Sequence, residues 1–343
     1  MNQELYYTIE KILKEQNIDF KKNYNLSFFT PFEYPLLSRL IIQPKTQKEL
    51  IDTVSIFRKF TRDKIHCFGN FSNTIIHENS KILNKPIIIT RNLKNIQIEE
   101  TKNFCEVECG YPLPKFSSIL TNKSYKGFSS LLGIPGSIGG AIFMNAGSFG
   151  QEISDKLISV NYLDNDLNIK TIFKKDINFD WRYSDFQNEI EHQAIISARF
   201  NLDKGDEKKL KQHMLFSKKR RSRTQEKPGN NFGSVFATRW IYGESNVKDY
   251  NYKIINNFIN FLFTITKKFR PKIVSLFLTN LIYSFNKKYF DFKNNEKIII
   301  SQKTLNCFLI KNEKTKPSDY INFIYKFKKK FKPKCKVEIR IYD

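Results

Sequence analysis

A cluster of glycines in the middle of the chain sets the strongest limit on its possible folds. The chain has 13 glycines in 343 residues, so even spacing would place fewer than one between residues 133 and 150. That interval holds six: Gly133, Gly136, Gly139, Gly140, Gly147 and Gly150. Because glycine permits positive φ and close backbone approach, the cluster predicts a cradle of N–H donors for a diphosphate or a flat ring. A tight structural turn is the alternative, and the segment has neither a Walker lysine nor a G-x-G-x-x-G spacing.

Short runs rich in β-branched residues alternate with helical patterns over the first two thirds of the chain. Residues 1–18 have the spacing of an amphipathic helix, and 39–60 predict a strand, a turn and a helix with Thr46 as its N-cap. Residues 64–110 contain several strand-like runs separated by polar breaks. The highly charged segment 204–228 predicts a helix that leads to a domain boundary. This order indicates a mixed α and β fold rather than a helical bundle.

The cysteines and histidines give no metal-binding pattern. Cys105 and Cys109 lie on one face of a predicted strand, and the other three cysteines stand alone in the sequence. The four histidines are not clustered either, so we predict no metal site. Free thiols that act as small core hydrophobes in a reducing cytosol are the simplest interpretation.

The formal net charge of +24, from 58 basic and 34 acidic side chains, has two interpretations. Lys, Asn, Ile and Phe are abundant throughout the chain, which favours the compositional background of an AT-rich genome over a dedicated surface for polyanions. On that interpretation the run KKRRSR (218–223) is a solvated helix end; the alternative is a polyanion-binding segment on a scaffold without activity. We predict no nucleic-acid partner.

The sequence also predicts a cytoplasmic protein without stable membrane insertion. Its first residues show no signal-peptide pattern. The longest apolar run, 273–285, is too short to span a bilayer, and a buried helix is favoured there over an interfacial one.

Seven segments resemble, in order, the motifs of the UDP-N-acetylenolpyruvoylglucosamine reductase family. The longest and most specific is the glycine-rich segment itself, and the match at 301–312 is weaker than the others. They read NLSFFTPF (25–32), FGNFSNTII (68–76), GIPGSIGGAIFMNAGSFGQEI (133–153), FDWRYSDF (179–186), GSVF (233–236), SQKTLNCFLIKN (301–312) and VEIRIYD (337–343).

The resemblance implies an α+β fold in three parts. Residues 1–90 and 91–205 would form a two-subdomain FAD-binding module of the vanillyl-alcohol-oxidase/PCMH type, with the glycine-rich loop in the second subdomain. Residues 206–343 would form a C-terminal α/β substrate domain, expected to act as part of a monomer. An atypical insertion near 240–280 has the pattern of two helices.

The resemblance also implies an activity in peptidoglycan precursor synthesis. NADPH would reduce FAD, and the flavin would pass hydride to the enolpyruvyl ether of UDP-N-acetylglucosamine enolpyruvate, giving UDP-N-acetylmuramate. By match, Arg182 and Glu338 would stabilise charge near the enolpyruvyl carboxylate, and the Ser234 hydroxyl would deliver the proton to C2.

The cofactor contacts implied by the match lie in two segments. One is the loop after residue 68, and the other is the glycine-rich segment. The residues are Gly69, Ser72, Asn73, Gly133, Gly136, Ser137, Gly139, Gly140, Asn145 and Gly147.

Several positions depart from the family pattern. Asn70 and Phe71 replace two glycines, and we expect Phe71 to resist positive φ and to occupy space needed by a pyrophosphate. The family's Lys-Asn-Pro is replaced by residues 237–239, and Thr304 stands where histidine is usual. Two explanations stay open: a fast-diverging reductase, or a divergent FAD-binding paralogue with a changed substrate or lost catalysis.

Overall fold

The computed structural model describes residues 3–61, 65–237 and 297–343, apart from 302, 305 and 332–334. Within 238–296 it describes the four isolated positions 254, 257, 261 and 284. The two helices predicted for the 240–280 insertion therefore fall outside the described residues, as does most of the replaced Lys-Asn-Pro motif.

The helices at 3–15, 47–60 and 207–224 lie within the segments for which the sequence pattern predicts helices. The bounds are Gln3–Glu15 (α1), Gln47–Phe60 (α2), Leu113–Asn122 (α3), Ile138–Phe143 (α4), Glu207–Thr224 (α5) and Pro317–Lys328 (α6). The predicted amphipathic helix α1 is confirmed, because it buries Tyr6, Ile9 and Leu13 on one face. The predicted N-cap is also confirmed, since Thr46 Oγ1 accepts from the backbone N–H of Glu49 at 3.1 Å.

The strands are short and fall mainly into two sheets. In the first part of the chain they are Phe20–Asn25 (β1), Leu37–Ile42 (β2), His66–Phe68 (β3), Thr74–Ile76 (β4), Pro86–Ile89 (β5), Ile96–Glu99 (β6) and Phe104–Glu108 (β7). In the middle they are Gly147–Ser148 (β8), Gln151–Glu152 (β9), Leu157–Leu163 (β10), Ile169–Phe173 (β11), Phe179–Asp180 (β12), Tyr183–Ser184 (β13) and Ala194–Asn201 (β14). The last part has Ile298–Ile300 (β15), Phe308–Ile310 (β16) and Arg340–Tyr342 (β17).

The two large sheets differ in pairing. The first has the order β1-β2-β5-β3, and β5 runs parallel to both β2 and β3. The second is antiparallel, with the order β11-β10-β14-β7-β6. Strand β7 buries Cys105 and Val107 on one face, as its alternating pattern predicts. Helices and strands are mixed in every part of the described chain, so the predicted α+β class is confirmed.

The last strand of the described chain returns to the first part. Residues 235–237 exchange backbone hydrogen bonds with 336–338, and β17 then pairs in parallel with β4, with Ile341 opposite Ile75. Helix α6 and the β15-β16 hairpin pack on a separate aromatic core with Phe236. The domain bounds 1–90, 91–205 and 206–343 stay a prediction, and the β17 pairing joins the first of these ranges to the third.

Four of the five cysteines are buried and all five are free thiols. Burial raises the pKa of Cys105 and Cys109 to about 12, which keeps both thiols neutral. No metal-binding group of three or more His, Cys, Asp or Glu side chains occurs among the described residues. In the same part of the chain, no helix has the length and hydropathy needed to cross a membrane.

Candidate active site

One cavity of about 810 Å³ brings the sequence-predicted residues together. Its walls come from the loop after β3, from the glycine-rich segment, and from residues near the C-terminal strand. Of the 13 predicted site residues, 12 line it: Gly69, Ser72, Asn73, Gly133, Gly136, Ser137, Gly139, Gly140, Gly147, Arg182, Ser234 and Glu338. Its volume lies in the range typical of cofactor and substrate sites, roughly 300–1,000 Å³.

The two predicted cofactor-binding segments touch each other directly. Ser72 Oγ donates to the carbonyl oxygen of Pro135 at 3.2 Å. A Cβ atom on Gly69 would lie 2.3 Å from Ser137 Oγ, so a side chain at this position would displace the hydroxyl that caps α4. Gly136 has φ +131°, a backbone conformation that a side chain would strain. These contacts leave a wall made largely of backbone on both sides of the cavity.

Phe71 adopts the conformation that its side chain was expected to resist. Its φ is +52°, and its side chain is only 3% exposed. The ring stacks on Phe68 at 4.8 Å and on Phe29 at 6.0 Å between centroids. The prediction that Phe71 resists positive φ was wrong, because burial of the ring offsets a left-handed backbone cost of about 1–2 kcal/mol. That the ring occupies space needed by a pyrophosphate stays a prediction, since Phe71 is among the residues that line the cavity.

Substituting Phe71 should separate the stabilisation from burial of its ring from the cost of its left-handed backbone conformation. We expect Phe71→Ala to lower the free energy of unfolding by about 3 kcal/mol, since a buried aromatic is lost and the backbone strain stays. Phe71→Gly should cost about 1 kcal/mol less, because glycine removes the strain. Urea unfolding followed by circular dichroism measures both, with Phe28→Ala as control, since Phe28 is 77% exposed. A Phe71→Gly protein as stable as the parent would contradict this account.

Helix α4 holds the middle of the glycine-rich segment against β7. The Ser137 side chain accepts from the backbone N–H of Gly140 at 3.4 Å and caps the helix. The backbone N–H of Gly139 donates to the carbonyl oxygen of Cys109 at 2.8 Å, and a Cβ on Gly139 would lie 3.0 Å from that residue's Cβ. The glycines therefore allow tight packing as well as access to the cavity.

Asn145 is the one predicted site residue that the structure places outside the cavity lining. It is fully buried, and its side-chain amide donates to Glu152 Oε2 and to the carbonyl oxygen of Asp180, each at 2.9 Å. Its cofactor-binding role stays a prediction. The contacts show that it joins the glycine-rich segment to the hairpin formed by β12 and β13.

That hairpin carries Arg182 in its two-residue turn, where the residue has φ +59°. Its Nη2 donates to the carbonyl oxygen of Gly147 at 2.8 Å, and its guanidinium lies over the Trp181 ring at 4.4 Å. Its Nε contacts Glu338 Oε1 at 3.1 Å, with both side chains about 15% exposed. Arg182 and Glu338, which are distant in sequence, thus form a largely buried ion pair in the cavity wall.

Glu338 has a strongly perturbed acidity. Burial raises the pKa of its carboxyl to about 7, against the lowering effect of the Arg182 charge and hydrogen bond. A carboxyl poised near neutrality in a cavity is a candidate acid. Its backbone is held on both sides, since Asn73 Nδ2 donates to the Glu338 carbonyl at 3.1 Å and the Glu338 N–H donates to Val235 O at 2.8 Å.

Ser234 lines the same cavity and directly precedes Val235, the residue that pairs with the Glu338 backbone. Its side chain is exposed to the cavity, in a turn where the N–H of Gly233 donates to Asn231 Oδ1 at 3.0 Å. The Asn231 side chain thus stabilises this turn. Asn306 fixes the two residues after Ser234, because its backbone carbonyl accepts from the N–H of Val235 at 2.8 Å and its Oδ1 accepts from the N–H of Phe236 at 2.9 Å.

Arg221 lines the cavity but was missed in the sequence. Its Nη2 donates to Ser148 Oγ at 2.9 Å, and a Cβ on Gly133 would lie 2.2 Å from its Cδ and Nε. Burial and the nearby Arg182 lower its pKa to about 10, so it stays charged. It belongs to the KKRRSR run on α5, in which Arg221 faces the cavity while its neighbours are exposed. Their different orientations follow from the turn of the helix and not from any difference in residue type. Arg340 and Thr304 also line the cavity and were not predicted as site residues.

Comparisons with known proteins agree with this arrangement. A family model described as an FAD binding domain matches residues 38–171. The UDP-N-acetylenolpyruvoylglucosamine reductase of Prochlorococcus marinus subsp. pastoris is 35% identical over 223 residues, which cover 64% of this chain and 74% of that protein. The protein of the same name from Caldicellulosiruptor bescii is 32% identical over 229 residues, covering 66% and 71%.

A solved structure shares the fold over almost the whole chain. The UDP-N-acetylenolpyruvylglucosamine reductase of Thermus caldophilus gives a TM-score of 0.64, with coverage of 95% of this chain and 99% of that one. The sequence identity is 15%, so this likeness describes the fold alone.

The residues present fit an FAD cofactor. The matched domain contains the loop with Gly69 and the segment with Gly136, whose missing side chains leave the backbone of both walls open to a long flat ligand. Phe71 lines the cavity but is only 3% exposed, because its ring stacks on Phe68 and Phe29.

Proposed function

The chain belongs to the UDP-N-acetylenolpyruvoylglucosamine reductase family, and from that premise we propose that it reduces UDP-N-acetylglucosamine enolpyruvate to UDP-N-acetylmuramate with electrons from NADPH. It is an FAD-dependent oxidoreductase. The proposed reaction belongs to peptidoglycan precursor synthesis, carried out by a cytoplasmic monomer. The observation that supports the proposal most is the meeting of Arg182, Glu338 and Ser234 in one cavity wall.

FAD, when bound, supplies the hydride chemistry, and the side chains of the cavity manage charge and protons. In the proposed role, the Arg182 guanidinium faces the enolpyruvyl carboxylate and opposes the negative charge that develops during reduction. Glu338, with its pKa near 7, donates a hydrogen bond to that carboxylate while protonated. Ser234 delivers a proton to C2 from the exposed turn that carries it.

The ligands of the proposed reaction also fit the charge of the site. FAD, NADPH and the sugar nucleotide are all anions, whereas the cavity is lined by the cationic side chains of Arg182, Arg221 and Arg340. A positive field of this kind raises the encounter rate of anionic ligands. This supports the use of NADPH and a nucleotide sugar without requiring a nucleic-acid partner.

The proposed acid role of Glu338 predicts a pH dependence. The protonated form predominates below about pH 7, so the rate of substrate reduction should fall as pH rises through that value. Folding stability should also fall as pH rises, because the pKa of Glu338 is raised in the folded state. The contribution of Glu338 to the free energy of unfolding is full below its ordinary pKa of 4.5 and is lost as pH rises through about 7. Single-turnover reoxidation of the reduced enzyme measures the rate; Glu338→Gln should lose the inflection near pH 7, and an unchanged profile would contradict the assignment.

Two steps test the proposed function itself. Purified protein loaded with FAD should be yellow, and NADPH should bleach its flavin absorbance without oxygen. Adding UDP-N-acetylglucosamine enolpyruvate should then restore the absorbance. A protein that binds and reduces FAD but is not reoxidised by this substrate would be the divergent paralogue, with a changed substrate or lost catalysis. A protein that cannot be loaded with FAD would refute both.

A further inference from the structure

Helix α5 presents a basic surface that the proposed reaction does not use. Its 18 residues carry eight cationic side chains and one acid, Glu207, so they hold +7 of the chain's +24 net charge (8 − 1 = 7). Because this is about 5% of the chain, the charge is concentrated and does not follow the compositional background. Glu207 is engaged by Lys211.

The two faces of α5 differ sharply. The inner face packs against α3 and the 3-10 turn Leu131–Gly133, buries Ser217, and directs Arg221 into the cavity wall. The outer face carries two large apolar side chains, Leu215 and Phe216, which are 61% and 56% exposed. They stand at the centre of a row of seven exposed cations: Lys208, Lys209, Lys211, Lys218, Lys219, Arg220 and Arg223.

Helical spacing places lysines around the apolar pair. Lys211 lies four residues before Leu215, and Lys218 and Lys219 lie three and four residues after it, so all three share its face. A straight helix of 18 residues is about 27 Å long, which gives a flat strip with an apolar centre and a cationic rim.

We propose that the outer face of α5 docks the enzyme peripherally on an anionic lipid surface. Leucine and phenylalanine enter the boundary between headgroups and acyl chains, and lysines beside them attract acidic headgroups. A phosphodiester backbone is bound by cations and polar donors, and it offers no apolar region for Leu215 and Phe216 to enter. The exposed apolar pair therefore favours a lipid surface over a nucleic acid. Docking in this orientation leaves the cavity, on the opposite side of the helix, free for its ligands.

The chain contains a matched control surface. Ile169 and Phe173 on β11 are 56% and 52% exposed, and three lysines lie close by in sequence, Lys170, Lys174 and Lys175. Between residues 164 and 176, however, three aspartates balance them, so the local net charge is zero. Equal numbers of substitutions at the two surfaces therefore change the total charge by the same amount and the exposed apolar area by similar amounts.

The test uses the full chain loaded with FAD and vesicles of phosphatidylcholine with or without 30 mol% phosphatidylglycerol. We expect sedimentation with the anionic vesicles alone, weakened at high salt. Replacing Lys211, Lys218 and Lys219 by Gln should weaken binding at least tenfold, and Leu215→Ser with Phe216→Ser severalfold. The matched Gln and Ser variants at β11 should bind like the parent, and all variants should keep their flavin spectrum.

Three results would overturn the proposal. The first is failure to bind anionic vesicles at physiological salt. The second is an equal loss for the α5 and β11 lysine variants, which would assign binding to overall charge. The third is full competition by single-stranded RNA together with no effect of the Leu215 and Phe216 substitutions, which would make the surface a general polyanion site. Phe216→Trp gives an independent readout, since its fluorescence should shift to the blue on docking.

Discussion

Replacing Ser234 by alanine should leave NADPH able to bleach the bound flavin and should slow reoxidation by the sugar nucleotide about 10²–10⁴-fold. The serine hydroxyl is exposed in the cavity, while its backbone neighbours are fixed by Asn306 and by the pairing with Glu338. Alanine keeps this backbone and removes the proton that C2 must receive. The loss is therefore expected in the second half-reaction alone.

Stopped-flow measurement of the two half-reactions separates the possibilities for Ser234. Ser222→Ala is a suitable control, because Ser222 lies on the exposed face of α5 and donates to the carbonyl oxygen of Lys219. An Ser234→Ala enzyme with parental reoxidation would remove the proton-donor assignment. A loss of flavin binding would instead show that the turn is structural.

Arg182→Lys should reduce the rate of substrate reduction about 10²–10³-fold, although the charge is conserved. The guanidinium binds Glu338, the carbonyl of Gly147 and the Trp181 ring at the same time, and an ammonium group cannot reproduce that planar set of contacts. Glu338 would lose part of the interaction that lowers its pKa, so the pH inflection should move upward.

The control for this substitution is Arg199→Lys. Arg199 pairs with Glu106 at 2.8 Å through its Nε, but its side chain is half-exposed on a sheet surface away from the cavity lining. We expect less than a twofold change in rate there. A similar loss in both variants, or a pH profile for Arg182→Lys that does not move, would contradict the role proposed for Arg182.

The parts of the fold that follow local patterns were predictable from the sequence. The periodicity of α1, the capping residue of α2 and the alternation of β7 are set by neighbours a few residues apart, and all three predictions are confirmed. The glycine cluster also identified the cavity wall, because close approaches such as that of Gly147 to the carbonyl oxygen of Gln151, 2.7 Å from where a Cβ would lie, leave little room for a side chain.

The features that the sequence did not predict depend on contacts between distant parts of the chain. The conformation of Phe71 was predicted from its intrinsic backbone preference, and three-dimensional burial of its ring overrides that preference. Arg221 was hidden in a charge run, where sequence alone does not say which side chain faces inward. Motif matching placed Asn145 with the cofactor contacts, and that role stays a prediction; nothing in the sequence indicated that its amide also joins two protein segments.

The pairing of β17 with β4 has a consequence for the order in which the enzyme is assembled. Asn73 and Glu338 are joined across 265 positions of chain, so one of the longest loops of the molecule closes at this contact. During synthesis the glycine-rich cradle emerges well before residues 338–342, and β4 keeps an open edge until they arrive. The glycine-rich cradle is therefore synthesised long before Glu338, the candidate acid, and the cavity wall is completed only when the last residues pair with β4.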